Sequence, residues 1–179
     1  MKDQILAGLS EIVYEGDKKK IDEFAEENGL EIVEFSGRFN NAGYLGVAFF
    51  DRGSDEIIIA HRGTPVDKCN VLSRKVKKCL TLVSGDITED IRLALDSAPK
   101  ELAKIDLLHS EVISKYPSCK ITHTGHSLGG AYSELSAIKY GERGVSFDAP
   151  GVKKIALENF PTKYEQHKNL ITNYKASPN

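Results

Sequence analysis

At 179 residues with 40% hydrophobic side chains, the chain can bury one sizeable core, and its length sets the expectation of a single domain over 1–179. A net charge of −2, from 24 basic and 26 acidic residues, leaves no basic surplus for nucleic acid, and no apolar run approaches the roughly 18 residues of a membrane span. Three cysteines, Cys69, Cys79 and Cys119, without C-x-x-C spacing, argue against a disulfide framework and against a cysteine-built metal site.

Met1 to Glu15 has one lysine ahead of a short apolar stretch broken by Ser10 and Glu11. That is not a secretory-signal pattern, so the cytoplasm is the default expectation, with signal-independent export left open. Residues 2–28 read as two short helices split near Gly16, with Ile5, Leu6, Leu9, Ile12 and Val13 on one face and Ile21, Phe24 and Ala25 repeating the spacing before Asn28-Gly29. They are expected to cover the sheet. Asp17 to Lys20 reads as a solvated helix start.

From Leu30 the period shortens towards strands. Leu30, Ile32 and Val33 form a short extended piece, and Tyr44–Phe50 and Glu56–His61 read as two strands joined by the hairpin-length loop Asp51-Arg52-Gly53-Ser54-Asp55. Ile57-Ile58-Ile59-Ala60 is apolar without alternation, which suits a strand covered on both faces. The strand ends in His61-Arg62-Gly63-Thr64-Pro65, either an ordinary strand-ending turn or a loop offering a backbone N–H and the Thr64 hydroxyl to a developing oxyanion.

Residues 66–88 carry a basic patch, Arg74, Lys75, Lys77 and Lys78, over Val71, Leu72, Val76 and Leu80. The patch is either a solvated face over core or an amphipathic surface able to lie on a membrane or lipid interface, and the segment is where a lid would hang. Asp90–Ala98 reads as a helical piece, Lys100–Lys115 as a longer helix stopped by Pro117, and Cys119–Thr124 as a strand. Leu128, Ala131, Leu135 and Ile138 turn the next helix onto the sheet. Val145–Phe147, a helix over Lys153–Asn159 and a strand over Leu170–Tyr174 complete the order. Strands alternating with helices predict an α/β fold: a mostly parallel central sheet with helices on both faces and an N-terminal helical cover.

Gly125-His126-Ser127-Leu128-Gly129 is a G-x-S-x-G elbow, preceded by β-favouring residues and followed by helical spacing. A strand turning at once into a helix forces the serine into strained backbone geometry with crowded neighbours, hence the glycines. The helix that follows aims its N-terminal amides at the place where an oxyanion develops.

G-H-S-L-G-G-A at Gly125–Ala131, H-R-G-T at His61–Thr64 and F-D-A-P-G at Phe147–Gly151 resemble the class 3 lipases, a branch of the α/β-hydrolases, over roughly Ala42–Asn179. The resemblance implies Ser127 as nucleophile, Thr64 and the Leu128 amide as oxyanion donors, and hydrolysis of lipid or small ester bonds through an acyl-enzyme without metal or cofactor. The substrate partner it implies is a lipid or small ester, while the charge balance gives no nucleic-acid partner, the basic segment leaves peripheral membrane or lipid-surface contact open, and the oligomeric state is unassigned.

The nucleophile also needs a histidine base and an acid to orient it. In that family both follow the serine, the acid after the strand matched here by Leu170–Tyr174, and only five residues follow that strand. Asp148 is the candidate acid by its place at a strand end. His167 would preserve the order Ser, Asp, His, but it precedes its strand and falls at the opposite sheet edge from Ser127, roughly 15 Å away. The expectation is a domain incomplete at its C-terminus. The chain is then either a serine esterase lacking part of its triad or a hydrolase-like binding or remnant protein without full activity.

Overall fold

A computed structural model of the chain describes residues 3–39, 43–63 and 99–176. Helices α1 (Asp3–Glu15) and α2 (Lys18–Glu27) are separated at Gly16, whose φ of 71° is open to glycine at little cost. Asp17 caps α2, its carboxylate accepting from the Lys19 N–H at 2.9 Å and from the Lys20 N–H, so the charged run is indeed a helix start.

Six strands follow in an order equal to their chain order: β1 (Leu30–Gly37), β2 (Leu45–Asp51), β3 (Glu56–Arg62), β4 (Lys120–His126), β5 (Arg143–Phe147) and β6 (Ile171–Tyr174). β1, β2 and β3 pair antiparallel, whereas β3, β4, β5 and β6 pair parallel. Between the parallel strands come α3 (Pro99–Lys115), α4 (Leu128–Tyr140), α5 (Lys153–Asn159) and α6 (Pro161–His167). β1 runs past Val33 to Gly37 because pairing with β2 carries it across a register shift at Ile32/Glu34. α6 carries no buried residue, which is why no apolar stripe announced it; Pro161 at its start was the available sign. The segments 66–88 and 90–98, with the basic patch and Cys69 and Cys79, lie outside the described residues.

The unalternating β3 is explained by its two covers. Ile58 and Ala60 face α1 and α2 through Leu6, Leu9, Val13 and Ile21, while Ile57 and Ile59 face α3 through Leu108 and Val112. Each of these side chains is out of water, the leucines, isoleucines and valines worth roughly 1.5–3 kcal/mol apiece, so the sheet is clamped from both sides along its middle. α4 packs on the α3 side over β3, β4 and β5, and its Leu128, Ala131, Leu135 and Ile138 close a further core with Tyr44 and Ile105.

This packing also encloses polar side chains, an acidic one among them. Glu134 of α4 is buried and accepts from the Ser146 hydroxyl at 2.7 Å and the Asn173 amide at 2.9 Å, tying α4 to β5 and β6. Burial raises its pKa in spite of those donors. A carboxyl raised on folding supports the native state below its unfolded pKa, near 4.3, and that support is lost as pH rises through the folded value. The gain in thermal-unfolding midpoint from Glu134→Gln is therefore expected to widen as pH rises from about 4 to about 7. A gain that stays flat over that range contradicts this reading of Glu134.

Candidate active site

β4 runs directly into α4 with Ser127 as the single residue between them, at φ 53° and ψ −121°. For a non-glycine residue such geometry costs of order 1–3 kcal/mol and persists only when its surroundings over-determine it. They do so here. The Ser127 N–H donates to the Phe147 carbonyl at 3.0 Å, and the Ser127 carbonyl accepts the Ala131 N–H at 3.1 Å, fixing both ends of the residue. Ser127 is half-buried, so its hydroxyl is packed but reachable.

The glycines on either side are needed for close approach. A Cβ on Gly125 would stand 2.4 Å from the Gly129 carbonyl, and one on Gly129 would stand 2.1 Å from the carbonyl oxygen of His61. The first turn of α4 therefore lies flush against the ends of β3 and β4. A Cβ on Gly63 would strike the Leu128 side chain, so the residue that follows β3 lies beside the start of α4. The Leu128 amide belongs to that first turn, whose N–H groups have no partner within the helix. Thr64 lies outside the described residues.

Arg62 of the H-R-G-T motif is fully buried and points away from the elbow. Its guanidinium donates to the Gly43 carbonyl at 3.1 Å and packs against Gly16, where a Cβ would meet Nη1 at 1.8 Å. It thus joins the β1–β2 connection to the α1–α2 turn. His126 packs edge-on against Tyr14 at 5.3 Å, as part of the turn. Ser10, Glu11 and Tyr14 of α1, with His126 and Phe147, line a cleft of about 400 Å³ beside the elbow.

Asp148 stands at the C-terminal end of β5, as the sequence placed it, with φ 49°. Its N–H donates to the Tyr174 carbonyl at 2.8 Å and its carboxylate accepts the Ala176 N–H at 2.8 Å. The carboxylate is exposed and engaged with the tail of β6, with no histidine against it. His167 donates from Nδ1 to the Ile138 carbonyl at 2.7 Å and lies against Gly141. That is the far end of α4 from Ser127, roughly 20 Å along a helix of this length.

The other three histidines form a buried chain that the sequence did not announce. Tyr44 Oη is 3.0 Å from His61 Nδ1, and His61 Nε2 is 3.0 Å from His123 Nδ1. His123 Nε2 is 2.7 Å from one Glu142 oxygen, and His109 Nε2 is 3.0 Å from the other. Burial, reinforced by the neighbouring histidines, holds His61 well below its ordinary pKa, and burial lowers His123 as well. Burial alone would raise the Glu142 carboxyl, but hydrogen bonds from His109 and His123 outweigh it and bring the pKa to about 2. Among the described residues His109, His123 and Glu142 are the one group whose donor atoms could hold a metal ion.

A mostly parallel sheet flanked by helices, with a strained serine between a strand and a helix N-terminus, defines an α/β-hydrolase. The Lipase (class 3) family model matches residues 61–168, from the end of β3 to the end of α6. The chain belongs to the class 3 lipase family. A protein described as "Putative lipase ATG15" from Eremothecium gossypii is 46% identical over 44 residues, covering 25% of this chain and 8% of that protein. Its counterpart from Candida glabrata is 48% identical over 44 residues, covering 25% and 9%. Among solved structures, lipase II from Rhizopus niveus aligns over 96% of this chain and 69% of its own, with a TM-score of 0.58 and 14% identity. Nonglycosylated LIP2 lipase from Yarrowia lipolytica aligns over 80% and 56%, with a TM-score of 0.53 and 17% identity. At those identities the structural likeness is one of fold. The matched stretch spans less than a tenth of the two curated relatives' length.

The flush seating of α4 gives a direct test. Gly129→Ala sets a Cβ against backbone that no side-chain rotation can move, and is expected to destabilise the chain by about 3 kcal/mol in urea unfolding. Gly151→Ala, with nothing within 4 Å of the new Cβ, is expected to stay within about 0.5 kcal/mol of wild type. Equal stability of the two variants would contradict the packing described for the elbow.

Proposed function

We propose that the chain is a serine esterase of the lipase type, attacking lipid or small acyl esters through the Ser127 hydroxyl to form an acyl-enzyme. The observation that carries this is the backbone of Ser127, held at φ 53° between β4 and the N-terminus of α4. Strain of this kind persists where a side chain must be presented, and the helix end supplies amide donors for the oxyanion. The Leu128 N–H is the donor assigned from the described residues, and Thr64, after Gly63, is assigned the second by family resemblance.

Acylation requires a group to take the Ser127 proton. Each of the five histidines of the sequence is engaged elsewhere: His126 on Tyr14, His167 on Ile138, and His61, His109 and His123 in the buried chain. Asp148 is assigned to holding the tail of β6 through Ala176 rather than to orienting a base. We infer that these residues alone support slow turnover, the residual level that an oxyanion hole and substrate binding retain without a full triad. The same observation favours a second reading, in which the elbow is kept in a hydrolase-like protein that binds an ester or acyl ligand without turning it over.

Hydrolysis of a short-chain p-nitrophenyl ester separates the two. The esterase reading predicts release above the uncatalysed rate that Ser127→Ala abolishes, with the variant still folded by circular dichroism. Equal rates for wild type and Ser127→Ala would remove Ser127 as a nucleophile.

A further inference from the structure

We propose that His109, His123 and Glu142 form a binding site for one zinc-class divalent cation, which pins α3 and the α4–β5 turn to the sheet. The site is independent of the ester chemistry. His123 lies four residues before Ser127 on β4, roughly 13 Å away along an extended strand.

Each ligand comes from a rigid element. His109 projects from the middle of α3 and His123 from β4 onto the same face. Glu142 follows Gly141, whose φ of 76° ends α4 in a left-handed cap, with the Gly141 and Glu142 N–H groups both donating to the Ala137 carbonyl. The cap turns the chain so that the carboxylate reaches back to both rings. Glu142 Oε2 is 2.7 Å from His123 Nε2 and 3.1 Å from His109 Nε2, and all candidate donor atoms fall within 4.8 Å of one another. Donors around a tetrahedral zinc, with bonds of about 2.0–2.1 Å, stand roughly 3.3 Å apart, so small side-chain rotations convert this cluster into a coordination face.

The surroundings suit a cation of this class. Two imidazoles and one carboxylate are borderline donors that favour zinc, cobalt or nickel over magnesium or calcium. A ligating histidine usually engages its second nitrogen, and His123 Nδ1 has His61 Nε2 at 3.0 Å, with Tyr44 behind it. His109 is held in plane by stacking on Tyr140, the ring centroids 3.5 Å apart and the planes within 5°.

Two hydrogen arrangements use the same atoms. Without metal, Tyr44 donates to His61, His61 to His123, and His123 and His109 to Glu142. With metal, His109 and His123 carry their protons on Nδ1 and turn bare Nε2 atoms to the ion. His123 then donates to His61, and His61 to Tyr44. The Glu142 side chain retains 19% exposure, which gives the ion a route in and leaves room for a water as fourth ligand.

The test is zinc binding by the chelator-stripped full chain, read by calorimetry and by unfolding midpoint, with cobalt as a spectroscopic stand-in. One equivalent of zinc is expected, raising the midpoint by roughly 5–10 °C at a hundredfold excess over Kd. Cobalt should give the visible bands of a four-coordinate ion. Glu142→Gln and His109→Gln, each checked for folding by circular dichroism, are expected to weaken binding more than roughly 100-fold, beyond what loss of an outer partner costs. Tyr44→Phe should weaken it by about 10-fold. No saturable binding, or binding that survives both ligand substitutions, would overturn the proposal, the second outcome placing the ion elsewhere on the chain.

Discussion

The structure depends on one steric constraint, the seating of the first turn of α4 on the ends of β3 and β4. Backbone meets backbone there: Gly129 against the His61 carbonyl and Gly125 against Gly129 and Gly130. Nothing larger than hydrogen fits at either place. With the helix that close, one residue must bridge strand and helix, and that residue takes the strained φ seen at Ser127. The strained serine is thus a by-product of packing that the two-sided core holds in place, through α1 on one face and α3 on the other.

Beneath the elbow the sheet carries polar groups that a purely hydrophobic core would avoid. Glu134 links α4 to β5 and β6, and the chain from Tyr44 through His61 and His123 to Glu142 and His109 links the residue before β2 to β3, β4, the α4–β5 turn and α3. Buried groups of this kind cost several kcal/mol when left unpaired, so each pairing also fixes the register of the elements that supply it. The same helix therefore carries the strained serine at its N-terminus and the histidine–glutamate cluster past its C-terminal cap.

Much of this was legible in the chain. The apolar run of Ile57–Ala60 marked a strand covered twice, and the G-x-S-x-G elbow marked the strand-to-helix junction, because both signals are local. What could not be read was set by pairing or by distant residues. β1 extends to Gly37 only because β2 pairs with it, and α6 has no buried side to betray its period. The three cluster ligands are separated by 14 and 19 positions on three elements, a spacing that no short motif describes. Asp148 was placed correctly at its strand end, but its engagement with Ala176 depends on where β6 leaves the sheet.

The central claim is that the elbow presents Ser127 as a selectively reactive hydroxyl. Incubation with an alkyl fluorophosphonate, followed by peptide mass mapping, tests it most directly. The account predicts phosphonylation at Ser127, slow but selective over the chain's other hydroxyls, and absent in Ser127→Ala. Labelling spread across other serines and tyrosines, or equal labelling of wild type and Ser127→Ala, would contradict it.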